Sequence, residues 1–415
     1  MHNIGIIGLG YVGLPLALAF SKKYFIKAFD KDSKRIETLK RNEDINNEVK
    51  KFELIKTSKK IFYTKNIYDL EKCNVYIVAV PTPIKKNKKP ELKFLYNACI
   101  KISQIIKKND IVIFESTVYP GLTEEYCAKI IEKKSGLKFN KDFFCGYSPE
   151  RINPGDSIHS ISNIIKITSG STPKISNLID KIYKDIIKAG TYKVNSIKIA
   201  EAAKVIENAQ RDINIAFINE ISIIFDKIGI DTNQILKAAS TKWNFINFKP
   251  GLVGGHCIGV DPYYLTHKSL KLGYKPKIIL AGRKVNDSMP KYIFSKLREK
   301  MKSKNLSFKS TKILVMGITF KENCNDTRNS KVFDLISYLN KYKFKTDVYD
   351  PLIHKKKSYN LIKFPKKNYY DVIIIAVAHN EFIRLGKKNI INFAKKKNII
   401  FDLKNIFNDK NFLSI

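Results

Sequence analysis

The chain of 415 residues lacks the features that mark secreted, membrane and metal-binding proteins. Its six cysteines are scattered and form no CxxC pair, which favours a reduced cytoplasmic protein over a disulfide framework. The six histidines show no HxxxH spacing, so the sequence indicates no metal site. Uninterrupted apolar runs of about 18 residues are missing, and we expect no membrane-spanning helix. The N-terminus has no basic segment ahead of an apolar one, so we expect no signal peptide.

Acidic residues are also scarce: the chain has 38 Asp and Glu compared with 76 Lys and Arg, which gives a formal net charge of +38. A charge of this sign can bind nucleic acid, or it can attract small polyanionic ligands. Here the basic residues are spread along the whole chain, and no nucleic-acid-binding motif accompanies them. We interpret the charge as a compositional bias with modest attraction of anions, and we expect no nucleic-acid partner.

Short apolar strands alternate with helical stretches in the first part of the chain, a pattern typical of a parallel, doubly wound α/β sheet. The predicted strands there are NIGIIG (3–8), FIKAFD (25–30), NVYIVAV (74–80), DIVIFEST (110–117) and DFFCGYSPE (142–150). Four further strand patterns follow residue 310, in TKILVMGITF, KTDVYDP, YYDVIIIAVAHN and NIIFDL. The predicted fold is α/β, with two Rossmann-like doubly wound domains joined by a long central helix.

That helix is predicted over residues 196–228, which contain neither Pro nor Gly and are apolar on more than one face. Its length of roughly 45 Å can join two domains and also pack against a second subunit. We therefore expect a homodimer through the central helix. The predicted domains are 1–195 for dinucleotide binding, 196–300 for a central helical region that carries the cysteine loop, and 301–415 for the second Rossmann-like domain.

A glycine-rich motif, GLGYVG at residues 8–13, follows the first strand and opens a helix. In this context glycines permit a tight turn and close approach of the backbone to a pyrophosphate, although a plain glycine-rich turn is the alternative. An acid at the end of the next strand can accept hydrogen bonds from the adenosine ribose, which favours NAD over NADP. The predicted NAD-binding residues of this region are Gly8, Gly10, Tyr11, Val12, Gly13, Asp30 and Arg35.

Polar motifs stand at three further strand ends, where ligands bind in open α/β sheets. Pro81-Thr82-Pro83 and Ser116-Thr117 are each compatible with an ordinary loop. The segment Ser148-Pro149-Glu150-Arg151 is more specific, because it places a carboxylate and a guanidinium together. The acid can act on a water or a bound sugar, and the arginine can bind a phosphate or carboxylate.

Two further groups of candidates lie on and after the long helix. Lys204 and Asn208 share a helix face, with Arg211 close to it; they can stabilise an oxyanion or form a solvated stripe on a lysine-rich helix. In GLVGGHCIGVD (251–261), Cys257 stands among glycines with Asp261 four residues on. This setting suits a reachable nucleophile and equally an ordinary tight turn.

Together the motifs resemble one family over nearly the whole chain. GLGYVGLP, VAVPTP, STVYPG, SPERINPGD, EAAKVIENAQRD, GGHCIGVDP and TFKENCNDTRNS occur in the order found in UDP-sugar 6-dehydrogenases. SPERINPGD and PGLVGGHCIGVDPYYL look like the UDP-N-acetylhexosamine branch (GlcNAc or GalNAc). The resemblance implies an NAD-dependent, four-electron oxidation of the sugar's primary alcohol to the uronic acid, for surface polysaccharide biosynthesis. It also implies that residues 301–415 bind the UDP-sugar.

The same resemblance implies a role for each matched residue. Cys257 is the nucleophile that forms a thiohemiacetal and then a thioester, and Asp261 helps to handle the proton or the water. Lys204 and Asn208 stabilise oxyanions, while Glu150 assists thioester hydrolysis. Thr117 lies near substrate and cofactor and counts as a catalytic candidate. The remaining implied contacts are Thr82, Thr117 and Arg328 with NAD, and Glu150, Arg151, Ile152, Lys204, Asn208, Arg211, Gly254 and Lys321 with the substrate.

The sequence also departs from the UDP-glucose branch. Val260 stands where those enzymes carry a lysine, and Pro154 where they carry a second glutamate. No residue before Gly251 clearly matches the arginine that the family donates across the dimer, and Lys242 or Lys249 are the alternatives. The competing hypotheses are a UDP-glucose 6-dehydrogenase, a two-electron hydroxyacid or 6-phosphogluconate-type dehydrogenase, and a catalytically silent binder of sugar nucleotides or nucleic acid.

Overall fold

The structure, a computed structural model, describes residues 2–46, 48–151, 161–308, 310–354 and 359–415. The chain forms two compact units. Unit 1 comprises Met1–Glu207 with Tyr263–Tyr274, and unit 2 comprises Asn208–Pro262 with Lys275–Ile415. The three domains expected from the sequence follow a different division of the chain, and their boundaries stay a prediction.

Unit 1 is built on a sheet whose strand order is that of a dinucleotide-binding fold. Its strands are β1 (Ile4–Ile7), β2 (Ile26–Phe29), β3 (Ile61–Thr64), β4 (Val75–Val78), β5 (Ile111–Phe114), β6 (Phe144–Tyr147), β7 (Lys166–Gly170) and β8 (Thr191–Lys193). The described strands are ordered β3-β2-β1-β4-β5-β6-β7-β8, and their neighbours run parallel except for β6 and β7. The order reverses between β1 and β4, which is the point where doubly wound sheets bind ligands.

The central strands of this sheet are buried on both faces. Every residue of β1, β4 and β5 is buried, as expected where helices cover both sides of a parallel sheet. Five strands predicted from apolar runs correspond to β1, β2, β4, β5 and β6. The strands β3, β7 and β8 were not predicted.

In the first part of the chain, helices alternate with the strands of unit 1, and some of them begin at recognisable caps. They are α1 (Gly13–Ser21), α2 (Ser33–Lys40), α3 (Lys51–Thr57), α4 (Lys93–Ser103), α5 (Lys129–Ser135, preceded by a π-helical turn, Thr123–Ala128) and α6 (Pro173–Lys184). Asp32 caps α2 by accepting backbone N–H groups, and Thr172 caps α6 with a proline at its first position. The helix α1 is almost entirely buried, so it places its N-terminus firmly at the end of β1.

The predicted long helix is confirmed as α7 (Ile197–Ile228), within one residue of the expected start. It contributes residues to both units. Further helices are α8 (Thr232–Ala239), α9 (Asp261–Lys271), α10 (Lys277–Ser303), α11 (Val332–Lys341), α12 (Asn380–Leu385) and α13 (Lys387–Ile391). Across the described ranges, none of the helices combines the length and the apolar character that a bilayer crossing requires.

Unit 2 contains the second parallel sheet that the sequence predicts. Its strands are β9 (Lys312–Met316), β10 (Lys345–Tyr349), β11 (Asn360–Leu361), β12 (Tyr370–Ile375) and β13 (Ala394–Asp402), in the order β11-β10-β9-β12-β13. The order again reverses beside the first strand, between β9 and β12. The four predicted strands match β9, β10, β12 and β13, so the α/β architecture with two Rossmann-like sheets is confirmed.

Candidate active site

The loop between β1 and α1 is a turn that two of its glycines make possible. Gly8 has a φ of 95°, and a Cβ there would lie 2.7 Å from the Ala79 carbonyl oxygen. A Cβ on Gly13 would lie 1.8 Å from the Gly8 carbonyl oxygen. In contrast, a Cβ on Gly10 would meet nothing within 4 Å. Gly8 and Gly13 are therefore required by the fold, and Gly10 leaves the backbone open to a ligand.

Asp30 and Arg35 both contact this loop, but in different ways. The Asp30 carboxylate follows β2 and accepts the Leu9 N–H at 2.8 Å. Arg35 is buried; its Nε donates to the Leu9 carbonyl at 2.9 Å, and its guanidinium pairs with Asp44 at 2.5 Å. Arg35 thus braces the loop from inside the protein, and a direct contact with the cofactor stays a prediction. The open glycine, the N-terminus of α1 and the acid after β2 fit an adenine dinucleotide.

The motifs that contain Thr82 and Thr117 lie at the ends of the adjacent strands β4 and β5. Ser116 Oγ donates to the Val80 carbonyl at 2.7 Å, which fixes the two loops against each other. The Tyr264 hydroxyl donates to the Pro83 carbonyl at 3.2 Å. Both threonines are half-buried. The structure therefore brings these two predicted segments together beside the switch point of the sheet.

Glu150, directly after β6, is the centre of a charged cluster in unit 1. Its Oε1 accepts the Arg151 N–H at 2.6 Å, and its Oε2 accepts Lys166 Nζ at 2.6 Å. Its carbonyl oxygen accepts Lys204 Nζ at 3.0 Å. Lys166 Nζ also lies 2.6 Å from Glu115 Oε2. Burial raises the pKa of Glu115 to about 7, although the nearby ammonium opposes the rise. Lys166 and Glu115 were not predicted as site residues.

Arg151 is held against α7. Its guanidinium donates to the carbonyls of Ala203 and Lys204 at 3.2 and 3.4 Å, and it pairs with Glu207 at 2.5 Å. Glu207 was not predicted, although its position one helical turn after Lys204 places it on the same face. The predicted substrate contact Ile152 lies outside the described residues.

In unit 2, a hydrogen-bond chain links three of the predicted catalytic residues. Asn208 Nδ2 donates to Asp261 Oδ2 at 2.6 Å, and the Asp261 N–H donates to the Cys257 carbonyl at 2.8 Å. Arg211 Nη1 lies 3.5 Å from Asn208 Oδ1. Asn208 and Asp261 are buried, whereas Cys257 is exposed. The backbone that carries the exposed thiol is therefore tied to Asp261, whose carboxylate is fixed by the Asn208 amide.

The cysteine loop is also anchored where it begins. Asn219 on α7 donates to the Gly251 carbonyl at 3.0 Å and accepts the Gly251 N–H at 2.8 Å. Asn286 on α10 holds Asn219 in turn, at 2.8 Å. A Cβ on Gly254, a predicted substrate contact, would lie 2.5 Å from the Asn329 carbonyl oxygen, so the glycine permits close packing there. Asn219 was not predicted, because a polar residue on a long helix carries no signal of its distant partner.

The residue before the cysteine joins this loop to the segment that carries two more predicted residues. His256 Nε2 lies 2.9 Å from Asp326 Oδ2, and the same oxygen accepts Arg328 Nη2 at 2.7 Å. Burial alone would raise the pKa of Asp326, but hydrogen bonds from His256 and Arg328 outweigh it and hold that pKa well below its usual range. Lys321, in the same segment, is half-buried, and its carbonyl accepts the Thr319 hydroxyl at 2.8 Å.

A sheet of this order, with an open glycine at its switch point, is typical of the class of α/β proteins that bind dinucleotides. Three models of one family match the chain in sequence: an NAD binding domain at residues 2–187, a central domain at 198–288 and a UDP binding domain at 314–409. The chain belongs to the UDP-glucose/GDP-mannose dehydrogenase family. It is an NAD-dependent nucleotide-sugar 6-dehydrogenase, as the motifs predict.

The relatives agree with this family over the full length of the chain. The UDP-N-acetyl-D-glucosamine 6-dehydrogenase of Pseudomonas aeruginosa is 53% identical over 412 residues, covering 98% of this chain and 97% of the relative. The protein of the same name from Salmonella typhi is 50% identical over 407 residues, covering 97% and 96%. Among solved structures, the UDP-D-ManNAc dehydrogenase of Pyrococcus horikoshii is similar with a TM-score of 0.90 at 29% identity, covering 100% and 99%.

Proposed function

We propose that the chain oxidises the primary alcohol of a UDP-N-acetylhexosamine, with UDP-GlcNAc as the first candidate, to the uronic acid. The substrate assignment is supported by the 53% and 50% identity to two proteins named for UDP-N-acetyl-D-glucosamine. UDP-GalNAc and UDP-glucose differ from it by one hydroxyl orientation or one acetamido group. The product is an acidic sugar nucleotide, which we assign to surface polysaccharide biosynthesis in the cytoplasm.

The oxidation removes four electrons in two steps, and NAD⁺ held by the glycine-rich loop and Asp30 would supply the hydride acceptor for each. Loss of a hydride and a proton converts the alcohol to an aldehyde, and the Cys257 thiol adds across the C=O bond to form a thiohemiacetal. Loss of a second hydride and proton gives a thioester. Water then adds to the thioester carbon, the C–S bond breaks, and the carboxylate and the thiol are released. The covalent bond retains the reactive aldehyde until its second oxidation.

The observation that carries this proposal is the hydrogen-bond chain from Asn208 through Asp261 to the backbone of Cys257. It ties the backbone of the exposed cysteine to a buried carboxylate and a buried carboxamide, the kinds of group that a covalent route uses. A dehydrogenase that removes only two electrons has no use for the thiol.

The ammonium of Lys204 and the side-chain amide of Asn208 stabilise the negative oxygen that develops in these steps. Lys204 and Asn208 are one turn apart on α7, so they project from the same face of the helix. The buried ammonium of Lys204 is held by the Glu150 carbonyl at 3.0 Å. Fixed donors of this kind cost no reorganisation when the charge develops.

We also propose that the enzyme is a homodimer through α7. Large apolar side chains are exposed along this helix, and exposed apolar patches of this kind mark surfaces that bind a partner. Phe217 is 56% exposed, and Ile224 and Ile228 are 44% and 59% exposed. Trp243, shortly after α8, is 96% exposed. A second copy of the chain would cover such a surface.

Counting NADH per sugar tests the proposed reaction. Limiting UDP-GlcNAc, UDP-GalNAc or UDP-glucose is oxidised to completion with excess NAD⁺, and NADH is read at 340 nm. We expect two NADH per UDP-GlcNAc and one uronate by mass spectrometry. One NADH per sugar would reject the four-electron reaction, and faster turnover of UDP-glucose would reject the acetylhexosamine substrate.

A further inference from the structure

A buried lysine that the reaction scheme does not use lies against the Glu150 carboxylate. Lys166 begins β7 and is 3% exposed. Its Nζ lies 2.6 Å from Glu150 Oε2 and 2.6 Å from Glu115 Oε2. The Tyr183 hydroxyl on α6 donates to the other oxygen of Glu115. The antiparallel pairing of β7 with β6 brings these residues together, because Glu150 follows β6.

The cluster places one ammonium beside two acidic side chains, all of them buried, and such burial costs free energy. Burial alone would lower the pKa of Lys166, but the two carboxylates outweigh it and raise that pKa, so the lysine stays charged. Replacing a buried ion pair by apolar residues of similar volume is often neutral or stabilising. A chain that needed only stability would therefore not require this lysine.

Lys166 fixes the conformation of Glu150. The other carboxylate oxygen is held by the Arg151 N–H, and the Glu150 carbonyl holds Lys204. Each oxygen of an ionised carboxylate can accept more than one hydrogen bond, so the oriented Glu150 can also accept one from the attacking water.

We propose that Lys166 is a positioning residue for hydrolysis of the thioester: its ammonium holds the Glu150 carboxylate in one orientation. This inference rests on the proposed function. In the step concerned, water adds to the thioester carbon while one of its protons passes to Glu150. The C–S bond then breaks with its electron pair on sulfur, the sulfur is protonated, and the acid product leaves as a carboxylate. No electrons are gained or lost.

The test compares two variants that differ at Lys166 alone. Glu115→Gln removes one carboxylate, and its amide can still accept from Lys166. Glu115→Gln/Lys166→Met then removes the ammonium without leaving Glu115 charged and unpaired. Each protein is mixed with excess UDP-GlcNAc and NAD⁺ in a stopped-flow instrument, and NADH is followed from the first turnover.

We expect the double variant to release a burst of about two NADH per active site and then to turn over at least about tenfold more slowly than Glu115→Gln. Intact mass of the quenched protein should show an acyl adduct on Cys257. A steady rate per burst-active site equal to that of Glu115→Gln would overturn the proposal. Loss of the burst in a folded protein would also overturn it, because the defect would precede hydrolysis.

Controls separate this outcome from misfolding and from failure of the proposed function. Lys184→Met removes a lysine that is 60% exposed and pairs with Asp180, and it should leave both phases unchanged. If Glu115→Gln/Lys166→Met does not fold, Glu115→Gln/Lys166→Gln is used in its place. The NADH burst and the steady rate are then interpreted in the same way. If the wild-type protein releases no NADH from any UDP-sugar, the proposed function itself fails. That result differs from every outcome for Lys166.

Discussion

Replacing each of two glycines in the loop before α1 by alanine should separate the needs of the fold from those of the cofactor. In Gly13→Ala, the new Cβ would lie 1.8 Å from the Gly8 carbonyl oxygen, whereas ordinary contact begins at 3.4 Å. The backbone must therefore move by more than about 1.5 Å, which places the change at the upper end of overpacking costs, about 3 kcal/mol. For a unit of about 200 residues, this corresponds to a fall in Tm of about 6–12 °C.

Gly10→Ala is the matched variant. Its Cβ would meet nothing within 4 Å, so the Tm without cofactor should stay within about 2 °C of the wild-type value. The same methyl group would stand where the pyrophosphate approaches the backbone, so the Kd for NAD⁺ should rise at least about tenfold, or 1.4 kcal/mol.

The assays are thermal unfolding followed by circular dichroism and NAD⁺ binding followed by isothermal titration calorimetry. The two glycines should behave differently: Gly13→Ala loses stability and cofactor binding, and Gly10→Ala loses cofactor binding alone. Wild-type affinity for NAD⁺ in Gly10→Ala would refute the assignment of this loop to the pyrophosphate. An unchanged Tm in Gly13→Ala would refute the packing argument.

Three further predictions concern single residues of the site. Cys257→Ser should abolish complete turnover while NAD⁺ binding by calorimetry survives, and loss of binding would count against a nucleophile. Lys204→Ala should lower kcat on the order of 10²-fold, as for a lost oxyanion donor, and an unchanged kcat would reject that role. Asp326→Asn should lower the free energy of unfolding at pH 7 by about 1–2 kcal/mol, because His256 and the half-exposed Arg328 lose a charged partner. The measurement is the fall in Tm. Since the pKa of Asp326 is depressed in the fold, this stabilisation is present above about pH 4 and is lost as the pH falls further. A Tm difference that does not shrink between pH 5 and pH 2 would contradict this.

Features with a local sequence signal were predictable. The buried strands β1, β4 and β5 are apolar runs, and α7 is a long segment without Pro or Gly. The residues of each element therefore suffice to predict it. The short strands β3 and β11 were not predicted, because four or two residues give too little periodicity.

Features that depend on distant partners were not predictable. Lys166 looks like one more lysine in a lysine-rich chain, and its partner Glu115 is 51 residues away. Only the antiparallel pairing of β7 with β6, a departure from the parallel pattern, makes its burial against carboxylates visible. Arg35 is the opposite case. Its position in the sequence predicted a contact with the cofactor, but in the structure its guanidinium is buried against Asp44.

The double hydrogen bond between Asn219 and Gly251 has a mechanical consequence. One side-chain amide matches both polar groups of a single peptide residue, much as a neighbouring strand would. Aspartate lacks the donor, leucine lacks both groups, and glutamine is one methylene too long to pair in the same place. A displacement of the second half of α7 is therefore transmitted directly to the start of the loop that carries the thiol.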